Sequence, residues 1–192
     1  MSKVNRGKQF EEQVYKAFKK LQDKNLLSID RIQDQMSGYK GSRNMCDFRV
    51  YTMPQCIYLE CKCCYGNTLP LSNITDYQLE SLSLKAEILG VEAGIMIWFI
   101  DHDITLYVPI QTVNALENQG KKSIRYNLKE LLSDEVYFKG VSETDKQWLC
   151  TERICEIKGV KRRVLFDYDV NSFLFYIKSD AVRACKFDCI AL

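Results

Sequence analysis

The chain has 192 residues, a formal net charge of +2, 46% hydrophobic and 11% aromatic residues. That length and composition suit one well-cored globular domain and exclude a largely disordered chain, and the small net charge indicates no global electrostatic pull toward nucleic acid. The N-terminus lacks the apolar core of a signal peptide, and the longest apolar run, AGIMIWFI at 93–100, is too short to span a bilayer. We therefore expect a cytoplasmic protein with no membrane partner.

Apolar periodicity in the first ninety residues predicts an amphipathic helix, two alternating strands joined by a tight turn, and a second helix that ends at Gly90. A polar connection with Gly38 and Gly41 separates the first helix from the strands, with a short strand expected near its start. The four main elements cover residues 5–25, 46–51, 56–63 and 73–89.

The second half predicts a buried central strand at 93–100, followed by an antiparallel neighbour across a turn that holds His102. Pro109 at a first helical position then starts a helix that runs to Gly120, and a short strand, a hairpin and a last helix or strand follow. This order predicts an α/β fold with a mixed central sheet flanked by helices. The expected organisation is a core over 1–131 and a C-terminal extension over 132–192, packed on the same domain.

The strand CIYLECKC carries charged residues among apolar ones. Its alternation places Tyr58, Glu60 and Lys62 on one face and the aliphatic and thiol side chains on the other. Asp47, across the turn, would bring a second carboxylate beside Glu60. Two carboxylates with a backbone carbonyl suit Mg²⁺, and an adjacent lysine can orient a water and stabilise charge on a phosphate. The layout suits metal-assisted phosphodiester hydrolysis, although a surface ion pair is the favoured explanation of the spacing when it is taken alone.

Nine cysteines raise the alternative of a zinc or redox site. Cys61, Cys63 and Cys64 form C-x-C-C, whereas structural zinc sites usually carry two C-x₂₋₄-C pairs. We favour buried thiols that pack as small apolar side chains. The spacings nearer to ligand pairs lie far away in the sequence, at Cys150/Cys155 and Cys185/Cys189. The single histidine and the lack of a P-loop or G-x-S-x-G pattern argue against histidine-based, nucleotide-binding and serine-hydrolase chemistries.

The series Asp47, Glu60 and Lys62, with Gln78 following, resembles the signature of the PD-(D/E)xK nuclease superfamily. More narrowly, the chain resembles the RecU-type Holliday junction resolvases of Gram-positive bacteria and their phages, and Glu11 matches the glutamate of that family's opening helix. The similar segments occur in the family's order over 5–131. They are NRGKQFEEQV, CDFRVY with IYLECK, NTLPLSNITDYQLESL and GKKSIRYNLKEL.

The resemblance implies a restriction-endonuclease-like core and a homodimeric endodeoxyribonuclease. Such an enzyme binds branched DNA, namely four-way junctions, and makes paired symmetric nicks with Mg²⁺ or Mn²⁺. Two identical sites suit two symmetry-related phosphates. By the same resemblance, Asp47 and Glu60 would be metal ligands, and Lys62 would orient water and phosphate.

The resemblance gives further residues roles around this centre. Glu11 would support the metal site, Gln78 would position a ligand or the scissile phosphate, and Arg6 and Thr68 would contact DNA. Tyr77 stands where the family is expected to carry histidine. The segment before the catalytic strands, which would form a stalk entering the junction, is short, and this favours a phage or mobile-element member.

Two alternatives stay open at this point. The first is a restriction-like or other structure-specific nuclease. The second is a non-catalytic DNA-binding protein on the same fold, although such a protein would have no reason to keep Asp47, Glu60 and Lys62 together.

Overall fold

The computed structural model describes residues 5–32, 44–134 and 141–188, with side chains described as far as residue 179. The connection with Gly38 and Gly41, which would form the stalk, therefore lies largely outside the described residues. The helices are α1 (Arg6–Gln22), α2 (Asp76–Ala86), α3 (Ile110–Asn118), α4 (Leu128–Leu131), α5 (Glu143–Lys146) and α6 (Val170–Asp188). The strands are β1 (Ser28–Arg31), β2 (Phe48–Thr52), β3 (Gln55–Cys64), β4 (Thr68–Pro70), β5 (Val91–Phe99), β6 (Ile104–Pro109), β7 (Ser123–Arg125), β8 (Cys155–Glu156), β9 (Gly159–Arg162) and β10 (Leu165–Tyr168).

The largest sheet in these ranges has six strands in the order β1-β2-β3-β5-β6-β8. β3 and β5 run parallel, while the other neighbours in this sheet are antiparallel. A parallel pair needs a crossover connection, which α2 supplies between β3 and β5. The predicted α/β fold with a mixed central sheet flanked by helices is confirmed.

Helix α1 covers one face of this sheet. Asn5 caps the helix by accepting a hydrogen bond from the Lys8 backbone N–H at 3.2 Å. Its apolar stripe, which includes Phe10, Val14 and Phe18, is buried against β3 and the C-terminal elements. The helix ends at Gln22, a few residues earlier than the predicted boundary at 25.

β3 divides two apolar clusters, and its alternation assigns each side chain to one of them. Ile57, Leu59 and Cys61 are buried in the cluster that contains α1, whereas Tyr58 and Cys64 pack on the cluster beneath α2 and α3. Cys61 is thus an apolar packing residue, as predicted. All described cysteines are free thiols, and the side chains of Cys185 and Cys189 lie outside the described residues.

Helix boundaries depart from the predictions where caps decide them. α2 starts at Asp76 rather than at 73, because a single 3₁₀ turn covers Leu71–Asn73 and Thr75 is the residue that caps the helix. α3 starts at Ile110, with Pro109 as the N-cap rather than the first helical residue. His102 lies in the β5–β6 connection, as predicted, and its ring stacks on Tyr126 at 3.6 Å.

The last third of the chain packs on the same elements. β8 extends the central sheet by pairing with β6, and β9 and β10 form a hairpin near the predicted position. Phe173 of α6 is fully buried and contacts the rings of Phe18 and Tyr107. The division into a core over 1–131 and an extension stays a prediction. None of the helices among the described residues has the length and apolarity needed to cross a membrane.

Candidate active site

The β2–β3 pairing fixes the position of Asp47. Phe48 lies opposite Leu59, and the Asp47 backbone N–H continues the ladder with a 3.2 Å hydrogen bond to the Leu59 carbonyl. Its side-chain Oδ2 accepts a 2.7 Å hydrogen bond from the Cys61 backbone N–H. This bond holds the Asp47 carboxylate against the backbone of Cys61, the residue that directly follows Glu60 in β3. The apposition predicted from the hairpin is therefore present.

Glu60, Lys62 and Gln78 form a closed triangle of polar contacts. Glu60 Oε1 lies 2.7 Å from Lys62 Nζ and accepts a 2.7 Å hydrogen bond from Gln78 Nε2. Lys62 Nζ also donates to Gln78 Oε1 at 3.3 Å. The Glu60–Lys62 ion pair does form, but it is no surface pair, because Glu60 is only 4% exposed.

A capping box at the start of α2 orients Gln78. The Thr75 side chain accepts from the Gln78 backbone N–H at 3.2 Å, and the Thr75 backbone N–H donates to Gln78 Oε1 at 3.2 Å. Since Oε1 is held by this N–H and by Lys62, the amide NH₂ can point only toward Glu60. Gln78 thus caps the start of α2 and completes the polar triangle.

Burial and like charge raise the proton affinity of two carboxyl groups here. Burial, and secondly the adjacent Asp47 carboxylate, raise the pKa of Glu60 to about 7, against the opposing effect of Lys62. Burial and then Asp47 also raise the pKa of Glu11, while Arg31, Lys8 and Lys62 lower it. Glu11, on α1, therefore lies within electrostatic reach of the same centre.

The cysteines near the centre are unsuited to thiolate chemistry at neutral pH. Burial, helped by Glu60 and Asp47, raises the pKa of Cys46 to about 12, and the same causes, led by burial, raise the pKa of Cys61 well above its usual value. The thiolate is the nucleophile and the metal ligand, and these surroundings suppress it.

The donor set fits a hard divalent cation bound mainly through water. No group of three or more His, Cys, Asp or Glu residues with metal-binding geometry occurs within the described ranges. Two carboxylates, Asp47 and Glu60, nevertheless lie side by side, and each disfavours the charge of the other. Mg²⁺ typically uses one or two carboxylates and keeps several waters, so this pair suffices.

The two predicted DNA contacts lie apart from the polar triangle. Arg6 is the first residue of α1, and its Nη1 donates to Gln9 Oε1 at 2.9 Å. Thr68 opens β4 and lies opposite Arg125 of β7. Within the described part of the chain, no hydrogen bond or ion pair joins either residue to Glu60, Lys62 or Gln78.

Two cations beside Glu11 were not singled out by the sequence. Lys8 and Arg31 line, with Glu11 and Glu12, an open cleft of about 480 Å³. Arg31 donates to Glu12 Oε2 at 2.9 Å and lies over the Tyr15 ring at 4.7 Å. Lys8 belongs to a visible basic cluster, but Arg31 arrives through the β1–β2 pairing, which places it opposite Phe48.

Comparison with known proteins gives a family and similar solved structures. The family described as RecU, recombination protein U, matches residues 5–142, which is more than half of the chain. No curated protein matches the sequence. Among solved structures, Hjc of Archaeoglobus fulgidus, a Holliday junction resolvase from an archaeal hyperthermophile, is similar at 20% identity with a TM-score of 0.40. That match covers 55% of this chain and 78% of Hjc.

Proposed function

Because this chain belongs to the RecU, or recombination protein U, family, we propose that it is a metal-dependent endodeoxyribonuclease that resolves four-way DNA junctions by paired nicks. The observation that carries the proposal is the joint placement of Asp47, Glu60, Lys62 and Gln78. A hydrogen-bonded carboxylate stands beside a buried one, which a lysine and an amide hold from the other side.

In this proposal Asp47 and Glu60 hold Mg²⁺ or Mn²⁺ through their carboxylate oxygens. When bound, the ion would act as a Lewis acid toward a water and a phosphate oxygen. Lys62 contributes a positive charge at the open side of Glu60, where it can donate a hydrogen bond to a phosphate oxygen and stabilise negative charge as the P–O bond breaks. Gln78 fixes both Glu60 and Lys62, so that neither has to reorient when the substrate binds.

Glu11 has a separate role in the proposal. Its carboxyl group interacts electrostatically with both Asp47 and Lys62, which favours a supporting place beside the metal site. Lys8 and Arg31 favour its charged form and offer positive charge to DNA that enters the adjacent cleft. Arg6 and Thr68 remain proposed DNA contacts at the edges of the same surface.

The proposed assembly is a homodimer on branched DNA. A four-way junction offers two symmetry-related strands, and one site per protomer matches them in a two-fold arrangement. The proposal also keeps the nuclease core at 1–131, with residues 132–192 as an extension.

The test uses a synthetic four-way junction, a linear duplex of matching sequence, and Mg²⁺. We expect paired nicks in opposing strands of the junction. Asp47→Asn and Lys62→Gln should abolish the nicks while junction binding survives. Lys24→Gln is the control, because it removes one lysine charge from an exposed position just after the C-terminal end of α1.

Three outcomes separate the alternatives. Equal cutting of the linear duplex would contradict junction specificity and leave a general nuclease. Junction binding without cutting in Mg²⁺ or Mn²⁺ would favour a non-catalytic DNA-binding protein. Full activity of Asp47→Asn would show that the catalytic centre lies elsewhere.

A further inference from the structure

The β9–β10 hairpin lies beyond the residues that match the family, and its tip carries uncompensated positive charge. β9 pairs with β10 alone in the described part of the chain, and all four of its residues are exposed. The tip is a two-residue turn, Arg163–Val164. β9 and the tip of the hairpin are therefore solvated, whereas β10 packs on the core through Phe166 and Tyr168. A 2.8 Å hydrogen bond from the Asp169 N–H to the Lys158 carbonyl closes the base of the hairpin.

Ion pairs account for the lysines of the hairpin but not for its arginines. Lys158 pairs with Glu156, and Lys161 pairs with Asp103. Asp167, the hairpin's own carboxylate, is neutralised by Lys20 of α1 at 2.5 Å. The side chains of Arg162 and Arg163 form no ion pair or hydrogen bond with any described residue. Two adjacent positive charges are thus left for a ligand.

The pairing register places Arg162 on the face of the hairpin opposite to that of Phe166. Phe166 packs its ring on Trp98 and lies opposite Lys161. Arg162 lies opposite Leu165, which is half-buried against the core, but the Arg162 side chain itself is exposed. An arginine there is available to a partner but contributes nothing to packing.

Arg163 occupies a backbone conformation that arginine disfavours. Its φ is +62°, at the first central position of a two-residue hairpin turn, where glycine is the usual residue. Glycine would relieve this strain at no loss of contacts, since no described residue bonds the Arg163 side chain. The backbone outlier thus coincides with an exposed positive charge at the tip, where a ligand can reach it.

The hairpin tip lies at the same end of the sheet as the candidate active site. Val164 and Lys161 line one cleft with Arg6 of α1 and Tyr65, the residue directly after β3. Tyr65 follows Lys62 by three residues, which corresponds to about 10 Å along an extended strand. That length matches the rise of about three nucleotides along one strand of duplex DNA. A DNA arm with one phosphate at the active site would therefore present further phosphates to the hairpin.

We propose that the β9–β10 hairpin is a second DNA-binding element, in which Arg162 and Arg163 contact backbone phosphates of a duplex arm next to the scissile site. This inference rests on the proposed function, because it assumes that DNA occupies the site on β3. Arginine suits the contact, since its guanidinium donates paired hydrogen bonds to phosphate oxygens. The contact is independent of base sequence, because phosphates are the same at every step.

The experiment measures junction binding by fluorescence anisotropy without divalent metal, over a series of salt concentrations. The variants are Arg162→Gln, Arg163→Gly and the double variant, with Lys24→Gln as the charge-matched control. Each phosphate contact adds roughly 0.9 to the slope of log affinity against log salt, so the double variant should lower this slope by about 2. We expect a several-fold loss of affinity for each single variant and roughly ten-fold for the pair, equal across DNA sequences.

Urea unfolding guards against a folding artefact. Arg163→Gly should unfold at the same or a higher urea concentration than the wild type, because glycine tolerates a positive φ. If a variant binds DNA more weakly but is no less stable than the wild type, its loss of affinity comes from the lost charge contact and not from unfolding. Weaker binding by Lys24→Gln to the same degree would indicate a general charge effect and overturn the proposal.

The remaining outcomes separate this proposal from the proposed function. If the wild type cuts the junction and Arg162→Gln/Arg163→Gly keeps the full affinity and salt slope, the hairpin role is overturned and the nuclease stands. If the hairpin variants weaken binding but the wild type never cuts, the hairpin role stands and the nuclease does not. If the wild type does not bind the junction, both are overturned.

Discussion

Gln78 Nε2 donates a 2.7 Å hydrogen bond to Glu60 Oε1, across the space between the first turn of α2 and the centre of β3. The same Gln78 side chain closes the capping box of α2 with Thr75. The start of the helix and the geometry of the buried carboxylate are therefore set by one amide group.

We expect substitutions at Gln78 and Thr75 to separate these two roles. Thr75→Ala removes the cap and should lower the free energy of unfolding by about 1 kcal/mol while most of the cleavage rate survives. Gln78→Ala removes the cap contact and the donor to Glu60, and it should lower single-turnover cleavage by roughly 10- to 100-fold. Urea unfolding and cleavage assays on both variants check this. Equal loss of cleavage in the two would indicate that Gln78 acts only through the helix.

Stability should fall as pH rises through the titration of Glu60. Its pKa in the folded protein, about 7, lies above its ordinary value of 4.5, so the folded state binds more protons between these limits. The associated stability is complete below about pH 4.5 and is lost as pH rises through 7. Relative to Glu60→Gln, the wild type should lose on the order of 3 kcal/mol between pH 4.5 and pH 8.

Urea unfolding of the wild type, Glu60→Gln and the exposed-site control Glu87→Gln over this pH range tests the expectation. The control should follow the wild type. A difference between wild type and Glu60→Gln that does not vary with pH would mean that Glu60 titrates normally.

Divalent metal should stabilise the fold through the two carboxylates. Because Asp47 and Glu60 disfavour each other's charge, a cation that binds both should raise the melting temperature of the wild type. At one hundred times its dissociation constant, the ion would add about 2.7 kcal/mol to the free energy of unfolding. Calorimetry with and without Mg²⁺ should show the shift for the wild type and for Lys24→Gln but not for Asp47→Asn. An unchanged shift in Asp47→Asn would place the metal elsewhere.

The C-terminal helix should contribute to the stability of the whole molecule. Phe173 is fully buried between Phe18 and Tyr107, so Phe173→Ala should lower the free energy of unfolding by about 3–5 kcal/mol. Phe175, on the same helix, is 76% exposed, and Phe175→Ala is the matched control with little expected effect. A small effect of Phe173→Ala would indicate an extension that unfolds separately from the core.

The sequence predicted those features that depend on local periodicity. Alternation along β3 correctly separated Glu60 and Lys62 from Cys61 and Cys63, and the hairpin correctly brought Asp47 beside Glu60. The RecU resemblance is confirmed by the family match over 5–142. The assigned roles of the site residues stay predictions.

Features that depend on distant pairing were missed. Arg31 reaches the cleft beside Glu11 only because β1 pairs with β2, and no local pattern specifies that neighbour. Likewise, the burial of Glu60 follows from the packing of α2 on β5 and β3, which helical periodicity alone cannot place. The α2 start was misplaced because Ser72 and Asn73 also offer cap oxygens, whereas only Thr75 is followed three residues later by a glutamine that closes a capping box.

The different side chains on the two faces of β3 also disfavour misfolded states in which this strand pairs out of register. A slip of one residue in its pairing would exchange the faces and drive Glu60 and Lys62 into the apolar cluster beneath α1, while Leu59 and Cys61 would turn toward α2. The shifted register, which buries these charges among Phe10, Val14 and Phe18, would be far less stable than the native one. The residues proposed to cut DNA therefore also discriminate against the misaligned sheet, so a correctly folded molecule is one whose centre is already assembled.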